Sequence, residues 1–318
     1  MAIAASAGYP QYSGSLIHPV ISARVLERLY ETAVIPSICD TSWFGEISQQ
    51  GDQVTFFRPA RAVVRRSTKG GLIKHDTIDT SPITLSVDYA LESSLTYDPL
   101  DKRMAQGWAT LEASYHVELA KQLEFEVDYH LLNQLYTGNN VAPENKGATA
   151  GVITGSVNLG TPGAPILLTP SNVLEFLTSV ELVFRERNID IYREPVWNVS
   201  PPQFNQVLMN SDLKSALFSG MSRSTYLGNG RISENKIAGF DIRVTNHAPS
   251  VIDAVTGKRC YHVMFGLQKA SAFMLQHIAS REIEDANGWN KYVQSRHLYG
   301  FGVVYPEYLV DCYVTFTP

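Results

Sequence analysis

Six cations crowd one short stretch of this chain: Arg58, Arg61, Arg65, Arg66, Lys69 and Lys74. Cations at that density can hold phosphates or pair with carboxylates. A groove for single-stranded nucleic acid interleaves its cations with aromatic rings that stack on bases. No Phe, Tyr or Trp stands between Phe57 and Asp76, so half of that apparatus is missing. Two readings remain. The charges keep an exposed tip soluble and discourage strand-edge aggregation, or they pair with acidic surface on another copy of the chain. Glu112, Glu118, Glu124 and Asp128 are the acidic candidates. One exposed pair contributes only about 0–1 kcal/mol. Such a contact counts only when it is repeated around an assembly.

Other chemistry is sought and not found. Gly228-Asn229-Gly230 opens like a dinucleotide-binding loop, but Ser233 stands where a further glycine or alanine is needed and no buried strand precedes it. Ser222 and Ser224 lack the Gly-x-Ser-x-Gly elbow of a hydrolase nucleophile. His75, Asp76 and Asp79 carry metal-binding atoms, yet their crowding beside Lys74 reads as a solvated turn. His116 and His130 read as surface or packing residues of a helix. Asn198-Val199-Ser200 matches a glycosylation sequon inside an apolar, strand-like run. No catalytic residue, cofactor or metal is expected.

Composition narrows the class. The 318 residues make one large or two medium domains, and 44% apolar with 18% charged residues is a globular balance. A net charge of −5 does not suit a protein that grips nucleic acid. No apolar run is long enough to span a membrane. The first residues, MAIAASAGYPQYSGS, lack the basic and apolar regions of a secretion signal. Cys39, Cys260 and Cys312 are too widely spaced for a zinc site or a disulfide framework.

The element that must position the acidic candidates is a long predicted helix, Asp98 to Asn139. Asp98 can cap its free amides, and Pro99 sits at the first helical position, where a missing N–H costs nothing. Met104, Trp108, Leu111, Tyr115, Leu119, Leu123, Val127, Leu131 and Leu135 recur mostly every fourth residue. A step of four overshoots the helical turn, so the stripe drifts and should meet different neighbours along its length. Gly138 is the expected C-cap.

The cations sit between two predicted strands. Val54 to Phe57 follows a Gly51-Asp52 turn, and Ile83 to Leu91 alternates apolar with polar residues. Together they make a two-stranded arm with a basic tip. Such an arm is marginal alone in water and needs a surface to lie on. After an N-terminal arm, His18-Pro19 is expected to open a short helix with Val20, Ile21, Val25, Leu26 and Leu29 on its apolar side, in a segment ended by Pro36. Val141 to Pro165 reads as a long loop containing a short hairpin. From Thr169 the pattern alternates: a helix capped by Ser171 with Leu182 inside, a buried strand over 195–199, a helix from Ser200-Pro201-Pro202 to about Leu217, and strands over 236–244 and 261–265. A turn at Asn287-Gly288 and a last strand broken at Pro306 complete the chain.

The order of these pieces resembles the major capsid proteins of tailed bacteriophages with the Hong Kong 97-like fold. The matching stretches are HPVISARVLERLYETAVIPSICD, GDQVTFFRPA, ITLSVDYALESSLTYDPLD, the Asp98–Asn139 helix, VWNVSPPQFNQVLM, KIAGFDIRVTNHAPS, FGLQKASAFML and YVQSRHLYGFGVVYPEYLV. They are loose patterns in a shared order. The resemblance implies an α+β fold: an N-terminal arm with a short helix over 1–50 and an extended loop over 51–97. It further implies a peripheral domain with a spine helix over 98–168 and 278–300, and an axial α/β domain over 169–277 and 301–318. It implies self-assembly into hexamers and pentamers of an icosahedral head around packaged double-stranded DNA, in the host cytoplasm. The partners it implies are a separate scaffolding protein, a portal and a decoration or cement protein. Some members cross-link subunits through a lysine. Lys69 and Lys74 would be candidates here, but no partner asparagine stands out and no cross-link is expected. An encapsulin-like compartment and an α/β enzyme built from scattered residues are the alternative readings.

Overall fold

The computed structural model of this chain describes residues 33–42, 53–57, single positions between 62 and 75, 82–104, 108–191, 193–210, 238–285 and 288–316. The short helix expected after His18-Pro19 and the stretch holding Ser222, Ser224 and Gly228-Asn229-Gly230 fall outside these residues, as does the end of the helix expected to reach Leu217.

Six strands form the main sheet. They are β4 (Ile166–Leu168), β5 (Val196–Ser200), β6 (Phe240–Val244), β7 (Ser250–Ile252), β8 (Arg259–Leu267) and β11 (Leu309–Phe316). The order is β4-β11-β8-β5-β6, with β7 on the free half of β8. β4 runs parallel to β11 and β5 parallel to β6, while β8 is antiparallel to its neighbours. Every residue of β5 is buried, as expected of a strand covered on both faces. On one face lie α4 (Val173–Glu186) and α5 (Pro202–Met209), around Phe184, Phe204, Phe240 and Phe265. On the other lie α1 (Ile35–Ile38) and Leu131, Leu132 and Leu135, packed on Trp197, Val199 and Met264. Burying one such aliphatic side chain contributes about 1.5–3 kcal/mol.

The second sheet is a ribbon of β3 (Tyr89–Tyr97), β10 (Lys291–Val303) and β9 (Ser271–Glu284), antiparallel throughout. Where β9 and β10 meet the main sheet, each passes through a single 3₁₀ turn, Gln268–Ala270 and Pro306–Tyr308. The turns are tied together: the amides of Val304 and Tyr305 both donate to the Ala270 carbonyl, at 2.8 and 3.0 Å. The third sheet is the pair β1 (Gln53–Phe57) and β2 (Pro82–Ser86).

The spine begins as expected. Asp98 Oδ1 accepts the Leu100 amide at 2.8 Å, and α2 (Pro99–Met104) follows. Residues 105–107 are not among those described, and α3 (Trp108–Leu135) carries the helix on. It stops before Gly138. The Gln134 carbonyl is capped by the Asn140 side-chain amide at 2.7 Å and the Thr137 hydroxyl at 2.9 Å, with Gly138 at φ +63° in the turn beyond. The drift of the apolar stripe has the expected effect: Val127, Leu131 and Leu135 are buried, whereas Met104 is exposed and Leu119 and Leu123 are only half-buried.

Several expectations need correction. The segment that Pro36 is expected to end lies outside the described residues, and Pro36 itself lies within a helix. It is the second residue of α1, a position that needs no amide hydrogen. The alternating run Ile83 to Leu91 is two strands. Its alternation continues through Val87 and Asp88, but β2 pairs with β1 and β3 pairs with β10. Ser171 is not the cap of α4, whose N-cap position is Asn172. Leu182 is 41% exposed, because it lies off the stripe formed by Val173, Phe176, Leu177, Val180 and Val183. The main sheet also takes in Ile166–Leu168, before Thr169, and the ribbon strands run unbroken through 277–278 and 300–301.

Candidate functional site

The two-stranded arm touches the rest of the chain at its base. There Leu85 is buried against Ala272, Met274 and Val304. Two glycines of β10 make the approach possible. A Cβ on Gly300 would stand 2.4 Å from the Ser86 carbonyl oxygen, and one on Gly302 would stand 2.7 Å from Leu85 Cδ1. Farther out, Phe57, Val64 and Leu72 are exposed. Apolar side chains held out on a two-stranded arm have the form of a contact waiting for another surface.

Arg65, Arg66 and Lys69 are exposed near that tip. Arg58, Arg61 and Lys74 lie outside the described residues. Of the acidic candidates, Glu124 is exposed. Glu112 already has a partner in its own chain, Lys102 at 3.2 Å. Glu118 accepts from Gln122 at 3.4 Å. Asp128 must be removed from the set. It is 1% exposed, and its Oδ1 accepts the amides of Val34 and Ile35, each at 2.8 Å. Charge alone placed it on the surface; the fold turns it inward with Val127 and Leu131.

The described residues contain no group of three or more metal-ligating side chains, and Asp76 and Asp79 are not among those residues. His262 and Asp311 form a buried pair at 3.0 Å, but Tyr136 stacks on the imidazole at 3.9 Å and Tyr313 closes in at 5.1 Å. The pair is packed between α3 and the main sheet. His130 also packs, accepting or donating to the Tyr299 hydroxyl at 3.0 Å. Asn198 is fully buried and donates to the Met264 carbonyl, so its sequon is closed to modification in the fold.

At the far end of the main sheet, β7 and the following turn expose Ile252 and Val255. Asp253 holds this end together. It accepts the Gly163 amide at 2.7 Å and both the amide and hydroxyl of Thr256, at 2.9 and 2.7 Å. The Thr256 hydroxyl and amide lead in holding its pKa below the usual carboxylate value. A lowered pKa contributes stability above the ordinary value, and that stability is lost as pH falls through the folded value. Asp253→Ala should therefore lower Tm at neutral pH. The gap to the parent should close below about pH 4; calorimetry across pH checks both.

Sequence reasoning missed two surface and packing features. Trp289, at the turn between β9 and β10, is 86% exposed; its place beside Asn287-Gly288 was the available signal. Gly300 and Gly302 were also missed. Paired glycines inside a strand signal a close backbone approach.

No family model matches the sequence, and no curated protein matches it. Solved structures do match along nearly the whole chain. A chain of Mycobacterium phage Che8 has a TM-score of 0.68 at 18% identity, covering 96% of this chain and 98% of that one. The capsid structure of Cyanophage P-SCSP1u gives 0.65 at 15% identity, with coverage of 95% and 94%. The capsid of Ralstonia phage GP4 gives 0.61 at 13% identity, with coverage of 98% and 99%. Spine, ribbon, main sheet and two-stranded arm together are thus the α+β fold of phage capsid structures, and this chain has that fold.

Proposed function

We propose that the chain is a major capsid protein, a structural subunit that assembles with copies of itself into the icosahedral head of a tailed bacteriophage. The observation that carries this reading is the fold shared with phage capsids over nearly the full length of both partners. Exposed Phe57, Val64 and Leu72 on an arm whose base packs through Leu85 support it. In this reading, residues 51–88 are the extended loop, α2 and α3 the spine, the ribbon with β3 the peripheral domain and the main sheet the axial domain. The chain has no catalytic role. It works with a separate scaffolding protein, a portal and a decoration protein, and assembles in the bacterial cytoplasm. It encloses double-stranded DNA without gripping it, which its net charge of −5 favours.

Electron microscopy with size-exclusion chromatography tests the proposal. Expressed with its scaffolding partner, the chain should give uniform closed particles. A small oligomer under every condition overturns it.

The cations Arg65, Arg66 and Lys69 are assigned to contacts with acidic surface on a neighbouring copy, Glu124 foremost. Arg65→Glu with Arg66→Glu should weaken particles in a salt-dependent way, since exposed pairs are screened at high ionic strength. Particle dissociation followed by light scattering at low and high salt checks this. Equal stability of parent and variant at low salt excludes the pairing.

A further inference from the structure

Three separate parts of the chain meet at one buried carboxylate. Asp128 comes from α3. The amides on its Oδ1 come from Val34 and Ile35, more than ninety positions earlier. His247 comes from the turn after β6, and its Nδ1 stands 3.3 Å from Asp128 Oδ2. His247 is 8% exposed, with the edge of Phe125 at 4.0 Å and Tyr129 at 6.4 Å from its ring. Oδ2 and Nδ1 are both buried, and neither completes a hydrogen bond. Buried polar atoms in a folded protein are nearly always paired, so two that face each other across 3.3 Å need an explanation.

A proton supplies one. With imidazole in its Nε2–H form and the carboxylate ionised, two acceptors face each other. In the Nδ1–H form the contact is attractive, but a full negative charge stays buried. One added proton on Oδ2 provides a donor to Nδ1 and neutralises the carboxylate. We propose that Asp128 and His247 form a proton-operated clasp that fastens the 34–35 segment to α3 and to the turn after β6, tight when the added proton is present and looser when it is lost.

The surroundings agree. Among the described residues, the other titratable groups facing the site are the Cys39 thiol beyond α1 and Tyr129. Burial pushes Cys39 up to about 12, so it stays neutral. Asp40 acts on Cys39 and adds no positive charge. Among the described residues, His247 is the group that supplies compensation. Burial raises Asp128 above the ordinary carboxylate pKa, with the two amides and His247 opposing that rise. A raised pKa means that the closed form binds the proton better than an opened form does. Closure is therefore favoured below the ordinary value and weakens as pH rises through the folded one. The segment has a second attachment that does not titrate in this way: the Asp40 amide donates to the Ser271 carbonyl at 2.8 Å and the Phe273 amide to the Asp40 carbonyl at 3.0 Å. The clasp therefore acts on the first half of the segment alone.

Hydrogen exchange on the full-length chain tests this, read at the Val34 and Ile35 amides after correction for the intrinsic pH dependence of exchange. Protection should fall as pH is raised from about 4 to about 8, with a slope approaching but not exceeding tenfold per pH unit for one proton. Asp128→Asn, which keeps an acceptor for the two amides, should make protection independent of pH. His247→Gln should shift the pH at which protection is lost. The Phe273 amide should show no such slope in any of them. Flat protection in the parent chain overturns the clasp, as does an unchanged slope in Asp128→Asn.

Discussion

Deleting residues 60 to 80 should abolish closed particles while leaving a folded subunit. The arm is joined to the body where Leu85 packs on Ala272, Met274 and Val304. That contact and the β1–β2 pairing both lie outside the deletion. Among the described residues, no member of either core cluster, nor any side chain packed against one, lies between 60 and 80. Circular dichroism and thermal melting of the deletion variant should thus match the parent to within a few degrees. Particle yield, in contrast, should fall to background, because exposed Val64, Leu72 and the tip cations leave with the segment. Normal particles from the variant would mean that the arm does not reach a neighbour. An unfolded variant would mean that it is part of its own core.

Gly300→Val should have the second large effect, on both folding and assembly. The Cβ of the new side chain would lie 2.4 Å from the Ser86 carbonyl oxygen and 3.1 Å from Val87 Cα. Backbone on both sides cannot move as a flexible side chain would. Overpacking of this kind costs about 3 kcal/mol, and the local relief is to lift β2 from β10, which swings the whole arm. Urea unfolding should show the loss of stability. Electron microscopy should show few or malformed particles even at temperatures where the variant is folded. Gly257→Ala serves as the control. Gly257 has φ +66° but no atom near its would-be Cβ, so only the backbone conformation is taxed, by about 1–2 kcal/mol. Particle yield in the control should be retained. If both variants lose particles alike, crowding at Gly300 is not what sets the arm.

What could be read from the sequence follows from how far apart the determining residues lie. The start of the spine was legible because Asp98, Pro99 and Leu100 are neighbours and capping is local. The buried strand β5 was legible because a continuous apolar run has few other places to go. The change of partner at Val87–Asp88 was not. Alternation is a property of one strand, whereas pairing belongs to two, and the period continues across the change. Asp128 was misread for the same kind of reason. A carboxylate is an exposed group by default, and the amides that make its burial affordable belong to Val34 and Ile35. The surface candidates are legible only as charges, since the residues proposed to meet them belong to another copy.

The two short turns between ribbon and main sheet have a mechanical consequence. Each sheet is stiffened by its own ladder, so bending within either would break many hydrogen bonds at once. At Gln268–Ala270 and Pro306–Tyr308 the chain crosses twice, side by side, and the Ala270 carbonyl accepts from the second crossing at Val304 and Tyr305. Rotation about a line through Ala270 changes the angle between the two sheets while leaving both ladders whole. A wall built from identical plates must bend more at some places than at others. In the proposed shell, a joint of this kind would let one sequence take both angles.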